Sequence, residues 1–330
     1  MALHRRTFIK SAAAAGLSTV AISRLGMAQD DTIVVGSKDF TEQFIVANMY
    51  QLVLENAGYS VEDSLNLGGT QVAHQALVSG DISLYPEYTG TGLTEVLGLS
   101  VDDLESADST PAATPVEDGL AEATPVGTGS DMSQILFDRV KEEYESQFDL
   151  TWLERSPANN TQALAVKREF SEEHGITTIS ELAAVADQFT ISAPADFPER
   201  EDGLLGLQRV YGAGFEDIGL LPVSPGLKYQ ALLNDEAEVV LAFGTDGQIS
   251  GHDLVLLEDD QALWPPYNLA PVVRMDVLEA NMEIVNLLNA VTTMLTDDVL
   301  SGLNWRVDSD ENAEPADVAS EWLTENGLLG

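Results

Sequence analysis

Cysteine is missing from all 330 residues. Its absence excludes disulfides, thiolate metal sites and thiol catalysis, together with the lipid-bearing cysteine of a bacterial surface anchor. Histidine is almost as scarce, and His4, His74, His174 and His252 are too scattered for a metal-ligand spacing. Basic residues number 15 against 55 acidic ones, a formal charge of −40. A surface of that sign repels phosphate backbones and anionic lipid, which argues against nucleic acid or a lipid surface as a partner. No apolar run approaches the roughly 18 residues that a membrane-spanning helix needs. The nucleophile elbow, the P-loop and the glycine-rich dinucleotide fingerprint are missing as well. Nothing in the chain therefore argues for catalysis, for a metal or for a cofactor.

What is present begins with a leader. Arg5-Arg6 followed by Thr-Phe-Ile-Lys and a mild Ala-rich stretch matches a twin-arginine export signal, and Gly26-Met27-Ala28 offers a small-x-small cleavage site. Residues 1–28 are read as that signal, which places the mature chain at the periplasmic or extracellular face of the cytoplasmic membrane. The leader takes four of the fifteen basic residues and none of the acids, leaving eleven against fifty-five, a net charge of −44. Acids spread so evenly read as a solvated shell suited to high salt, where long-range steering of a ligand is screened.

At 44% apolar, the chain can bury one large core or two ordinary ones. Strand and helix patterns alternate: TIVVGS (32–37), a helix over 41–56, SLNL (64–67), a helix over 70–78 and ISLY (82–85). Residues 100–132, rich in Ser, Thr, Pro and acids with two ATPV repeats, read as a disordered acidic insertion. A helix over 134–145 and a strand at 150–153 follow. The alternation resumes with strands at 163–167, 189–194, 239–244, 253–258 and 270–274, and helices over 283–295 and 315–328 close the chain. This is an α/β protein with helices on both faces of its sheets. One set of units lies between two parts of the other, which implies two lobes joined by two crossing segments, near 158–161 and 244–248, with a ligand cleft between them. The expected division is 29–158 for the first part of lobe I, 159–246 for lobe II and 247–330 for the rest of lobe I.

Aromatic and basic residues gather in polar loops at strand ends, where open α/β sheets bind ligands. Lys38 follows the first strand in GSKDFTEQF, Tyr88 and Thr91 sit in YPEYTGT, and Arg200 lies in FPEREDG. Gln162 stands in NNTQAL, Phe243 in AFGTDG and Tyr267 in WPPYNLAP. Taken singly each has an ordinary reading: a half-buried loop tyrosine, a solvated lysine, a surface ion pair for Arg200 among its acids, a core phenylalanine. Taken together and in order, GSKDFTEQFIVANM, LGGTQVAHQALVSGDISLYPEYTGTGL, ANNTQALAVK, FPEREDGLLGLQRVYG, AFGTDG and WPPYNLAPVVR resemble one family. It is the glycine betaine/choline/carnitine substrate-binding proteins of ABC-type importers, of the OpuAC-like kind. The resemblance spans nearly the whole mature chain outside the acidic insertion.

The resemblance implies a type II periplasmic-binding-protein fold, a monomer that closes over a quaternary ammonium ligand, and an ABC permease as partner. It implies Tyr88 and Tyr267 as cage tyrosines, Lys38 and Arg200 as cations for the ligand carboxylate, and Thr91 as a hydroxyl near it. Such residues suit the chemistry. A trimethylammonium group donates no strong hydrogen bond, and aromatic faces attract it through the ring quadrupole; a carboxylate is matched by the planar fork of arginine. Two positions depart from the family pattern, where Gln162 replaces an expected tyrosine and Phe243 keeps a ring without its hydroxyl. Trp264 is a candidate for the missing ring. Gln162 keeps open a receptor for another amine or amino acid, and an exported enzyme or a sensory receptor on this scaffold are the further alternatives.

Overall fold

In the computed structural model, residues 32–101, 103–104, 129–195, 197–224 and 227–330 are described. The export signal expected at 1–28 and most of the 100–132 insertion lie outside the described residues. The insertion's edges carry structure: Leu104 is buried in a core cluster, and a helix runs over Gly129–Phe148, five residues ahead of its expected start at 134.

Short segments, most of them apolar, form the strands of two five-stranded sheets. The first contains β1 (Ile33–Gly36), β2 (Val61–Ser64), β3 (Leu84–Tyr88), β4 (Leu150–Trp152) and β10 (Leu269–Arg274) in the order β2-β1-β3-β10-β4. The second contains β5 (Gln162–Lys167), β6 (Thr190–Ala193), β7 (Gly219–Pro222), β8 (Val239–Phe243) and β9 (Leu254–Leu256) in the order β7-β6-β8-β5-β9. The two sheets repeat one topology. In the first, β1 runs parallel to β2 and β3 while β10 lies antiparallel to β3 and β4. In the second, β6 runs parallel to β7 and β8 while β5 lies antiparallel to β8 and β9. In each sheet, the strand beside the third parallel strand is the one that arrives from the other lobe.

Helices cover both faces. Helix α1 (Thr41–Asn56) turns Ile45, Met49 and Val53 toward the first sheet, at the spacing an amphipathic helix requires, and packs there with helices Ile284–Thr292, Asp297–Asp308 and Pro315–Glu325. The opposite face carries α2 (Thr70–Ser79) and the long helix from 129, with Tyr144 and Trp152 wholly buried between them and the sheet. Around the second sheet, Phe197, Leu207 and Phe215 fill one face, and Tyr229 and Leu232 the other.

Four features differ from the sequence reading, the first being β7 (Gly219–Pro222), an edge strand where the sequence reading has none. β2 is the polar edge segment VEDS at 61–64 rather than SLNL, because an edge strand with one face to water needs no apolar run. β3 continues through Pro86 to Tyr88 with all five residues buried, although Pro and Glu are poor strand residues. Pro86 stands opposite Pro271 of β10, so the two residues without a backbone donor share one position of the ladder. Finally, β9 pairs with β5 and so belongs to the second sheet, although the sequence reading returned the chain to the first lobe at 247. The helix Gly247–Gly251 does lie on the first lobe's Asp297–Asp308 helix, where Trp305 leaves room only for Gly247 and Gly251, before the chain goes back to β9.

Candidate functional site

The two lobes meet where chain segments cross between the sheets. Asn159 and Asn268 form an antiparallel bridge, the Asn160 N–H donates to Tyr267 O at 3.1 Å, and the Tyr267 N–H donates to Asn159 Oδ1 at 2.7 Å. Gly244 lies against the same strip: its N–H donates to Thr161 O at 3.0 Å, and a Cβ there would stand 2.1 Å from Asn159 O. The crossings are thus 158–161 and 266–268, with 244–246 alongside.

On the first lobe, β1 ends in Ser37-Lys38, and Lys38 folds inward. Its ammonium donates to Glu87 Oε1 at 2.5 Å, with the two side chains 6% and 0% exposed. The same ammonium lies 4.9 Å from the Tyr88 ring centroid and 5.7 Å from that of Phe40. Phe40 stacks on Tyr88 at 6.2 Å and stays partly exposed while Tyr88 is buried. The Tyr88 hydroxyl donates to Glu42 Oε1 at 2.6 Å, with the side-chain amides of Gln43 and Asn160 beside it. Thr91 follows in the turn Thr89–Thr91, half-buried. Above Gly90 lies the ring of Tyr267, so close that a Cβ at Gly90 would be 2.6 Å from its Cε2. Burial pushes the Tyr267 hydroxyl's pKa up.

On the second lobe, Gln162 opens β5 directly opposite Phe243, the last residue of β8. Gln162 Nε2 donates to Asp202 Oδ2 at 2.6 Å. Asp202 also receives the fork of Arg200, from Nε at 2.7 Å and Nη2 at 2.6 Å, which holds the Asp202 carboxyl below its ordinary range. Trp264, proposed above as a replacement ring, is buried in the second lobe's core instead, with its indole N–H donating to Asp202 O at 2.8 Å. Phe243 is 42% exposed. Over it, at 5.1 Å, lies the Lys228 ammonium, which is also 5.0 Å from the Tyr229 ring and 3.1 Å from Asp246 Oδ2. Asp246 Oδ2 further accepts from the Tyr229 hydroxyl at 2.5 Å and the Phe243 N–H at 3.1 Å.

Glu42 sits under the junction. Its carboxyl accepts from Tyr88, from Asn160 Nδ2 at 3.3 Å on the first crossing, and from Asn304 Nδ2 at 2.8 Å. Asn304 in turn donates to Thr245 O at 2.9 Å, beside the crossings. Burial raises the Glu42 pKa against the lowering effect of these bonds, and the Asp246 charge adds to the rise.

The predicted residues therefore fall into two groups that border the crossing segments. Lys38, Tyr88, Thr91 and Tyr267 lie together with the first sheet, and Gln162, Arg200 and Phe243 with the second. Sequence reasoning missed Phe40, Glu42, Lys228 and Asp246, whereas the surface ion pair expected for Arg200 among its acids is the one it makes with Asp202. Phe40 and Glu42 lie inside the quoted GSKDFTEQF, where an aromatic and an acid open a helix; Lys228 carried no local signal. Tyr229 packs in the second lobe's core and also holds Asp246. Among the described residues no group of three or more His, Asp or Glu converges as metal ligands, and no helix is long and apolar enough to cross a membrane.

Comparison with known proteins agrees with this architecture. Residues 31–325 match the family model of the substrate-binding domain of ABC-type glycine betaine transport systems. A glycine-betaine-binding protein of Pseudomonas aeruginosa is 32% identical over 323 residues, covering 95% of this chain and 94% of that protein. The carnitine transport binding protein OpuCC of Listeria monocytogenes is 30% identical over 316 residues, covering 95% and 92%. Among solved structures, apo YehZ from Escherichia coli superposes with a TM-score of 0.73 at 28% identity, over 90% of this chain and 99% of that one. These relatives are transport binding proteins and not enzymes. Two matching α/β lobes, rings and cations at their strand ends, and a family match over almost the whole described chain agree: this protein belongs to the substrate-binding domains of ABC-type glycine betaine transport systems.

Proposed function

We propose that the mature chain captures a quaternary ammonium osmolyte (glycine betaine, choline or carnitine) between its lobes and delivers it to an ABC permease. The observation that carries this reading is the placement of aromatic rings from both lobes beside the crossing segments: Phe40 and Tyr88 from one, Phe243 from the other, Tyr267 on the returning crossing. Each ring within about 6 Å of a methylated ammonium contributes roughly 0.5–2 kcal/mol, more as water is excluded. Closure about 158–161 and 266–268 brings the two groups of rings together around the ligand.

The ligand carboxylate meets Lys38 and Arg200 near Thr91. Both cations already hold a carboxylate, Glu87 and Asp202, so the unliganded cleft is locally neutral and accepts a zwitterion without uncompensated charge. The protein works as a monomer after twin-arginine export, and its acidic shell suits salty surroundings in which such solutes are imported. A second reading rests on the Gln162–Asp202 pair, which gives the second lobe a polar wall where a ring would complete the cage. That wall favours a ligand with a hydroxyl or N–H, another amine or amino acid, over a compact betaine.

Calorimetric titration of residues 29–330 in molar salt with glycine betaine, choline, carnitine and proline betaine tests both readings. Saturable binding of one of them, abolished by Tyr88→Ala, supports the cage, and loss of the carboxylate ligands alone in Arg200→Ala supports the clamp. A folded protein that binds none of the four overturns the quaternary ammonium reading and leaves the polar-wall reading standing.

A further inference from the structure

The two lobes carry the same small cluster. On the first, the Lys38 ammonium lies over Phe40 and Tyr88 and is paired with Glu87; on the second, the Lys228 ammonium lies over Tyr229 and Phe243 and is paired with Asp246. From this geometry, and resting on the ligand class proposed above, we infer that Lys228 is a further binding residue, the second lobe's ammonium contact to the ligand carboxylate.

Three observations favour it. Its ammonium stands 5.1 Å from the ring centroid of Phe243, a residue 42% exposed, and the lysine side chain keeps 10% of its own surface open, so a ligand on this ring comes within range of the lysine. Its hold on Asp246 is the looser of the two pairs, 3.1 Å against 2.5 Å for Lys38 and Glu87. The one Asp246 oxygen it uses also serves the Tyr229 hydroxyl and the Phe243 N–H, so the ammonium competes for that acceptor and has N–H donors to turn elsewhere. Arg200, by contrast, directs two donors of its fork at Asp202 at 2.7 and 2.6 Å. A carboxylate arriving between the lobes meets in Lys228 a cation that needs only to share its protons. Lys228 also lies next to the crossings, since Asp246 follows Gly244 there, so contact with it draws the second lobe toward the first as the cleft closes.

The test is titration of wild type, Lys228→Met and Lys228→Arg with glycine betaine and with choline, which lacks a carboxylate, alongside a thermal melt of each. Lys228→Met should weaken glycine betaine tenfold or more, the loss expected when one charge-assisted hydrogen bond disappears. Choline should stay within about twofold and Lys228→Arg should recover part of the loss, with the melts showing each variant folded at the titration temperature even though Lys228→Met melts lower for its broken pair with Asp246. Unchanged glycine betaine binding, or an equal loss of both ligands, overturns the assignment while leaving the betaine reading intact. Wild type that binds neither compound sinks the betaine reading, and Lys228's role with it.

Discussion

Glu87→Gln offers a stringent probe of how the first lobe is held. Gln fills the volume of Glu, so the substitution removes charge without opening a cavity. The native carboxylate is 0% exposed and accepts the Lys38 ammonium at 2.5 Å, the Tyr88 N–H at 2.7 Å and the Tyr85 hydroxyl at 3.1 Å. An amide oxygen can still accept from Lys38 and Tyr88, and the Tyr85 hydroxyl can turn to accept from the new NH2 group. What cannot be restored is the counter-charge. The Lys38 side chain, 6% exposed, is left as a buried cation whose remaining support is the two rings beneath it. Removing one member of a buried pair costs about 3–5 kcal/mol, a large part of the roughly 5–15 kcal/mol by which domains are stable. Urea unfolding followed by circular dichroism would read it as a lower midpoint for the first lobe's transition. Lys38→Met/Glu87→Gln should recover much of the loss, because no charge then remains buried. A loss below about 1 kcal/mol, the range of exposed pairs, would show that water reaches this pair and would refute the reasoning.

Two further consequences concern the junction. Burial raises the Glu42 pKa above its ordinary 4.5, so over the window from that value upward the folded protein binds the proton that the unfolded chain has released. Stability therefore falls as pH rises through that window, and Glu42→Gln, which has no proton to lose, should flatten the slope; parallel stability curves for the two proteins between pH 4.5 and neutrality would contradict this. Gly90→Ala would place a Cβ 2.6–2.8 Å from three atoms of the Tyr267 ring and so tilt that ring away. Ligand affinity should drop at least tenfold, a shift of about 1.4 kcal/mol, with little change in melting temperature, and an unaltered affinity in titration would show that Tyr267 lies outside the cleft.

Much of this site was legible because its residues sit in local contexts with a local cause. Lys38, Tyr88, Gln162, Phe243 and Tyr267 all fall at strand ends or in crossing segments, and periodicity located most of those strands. What the sequence hid was partnership across long separations. Nothing local to YPEYTGT shows that Glu87 pairs with Lys38, 49 residues away, and that pairing is why a strand tolerates a carboxylate inside the sheet. Gln162 looked like a lost ring until Asp202, 40 residues on, was found accepting its amide. Lys228 opens a helix just ahead of the expected strand β8, yet its chemistry depends on Asp246 and Phe243. The lobe boundary at 247 shifted for a similar reason: an alternating rhythm tells that β9 is a strand but not which sheet it joins.

A crystal structure of the mature chain grown with glycine betaine would show whether an aromatic cage closes over a methylated ammonium. The trimethylammonium group should lie within about 6 Å of the ring centroids of Tyr88, Phe243 and Tyr267, with the carboxylate on Lys38, Lys228 or Arg200 and the lobes closed. A ligand bound away from these rings, or one whose carboxylate faces them while its ammonium lies on Asp202, would contradict it.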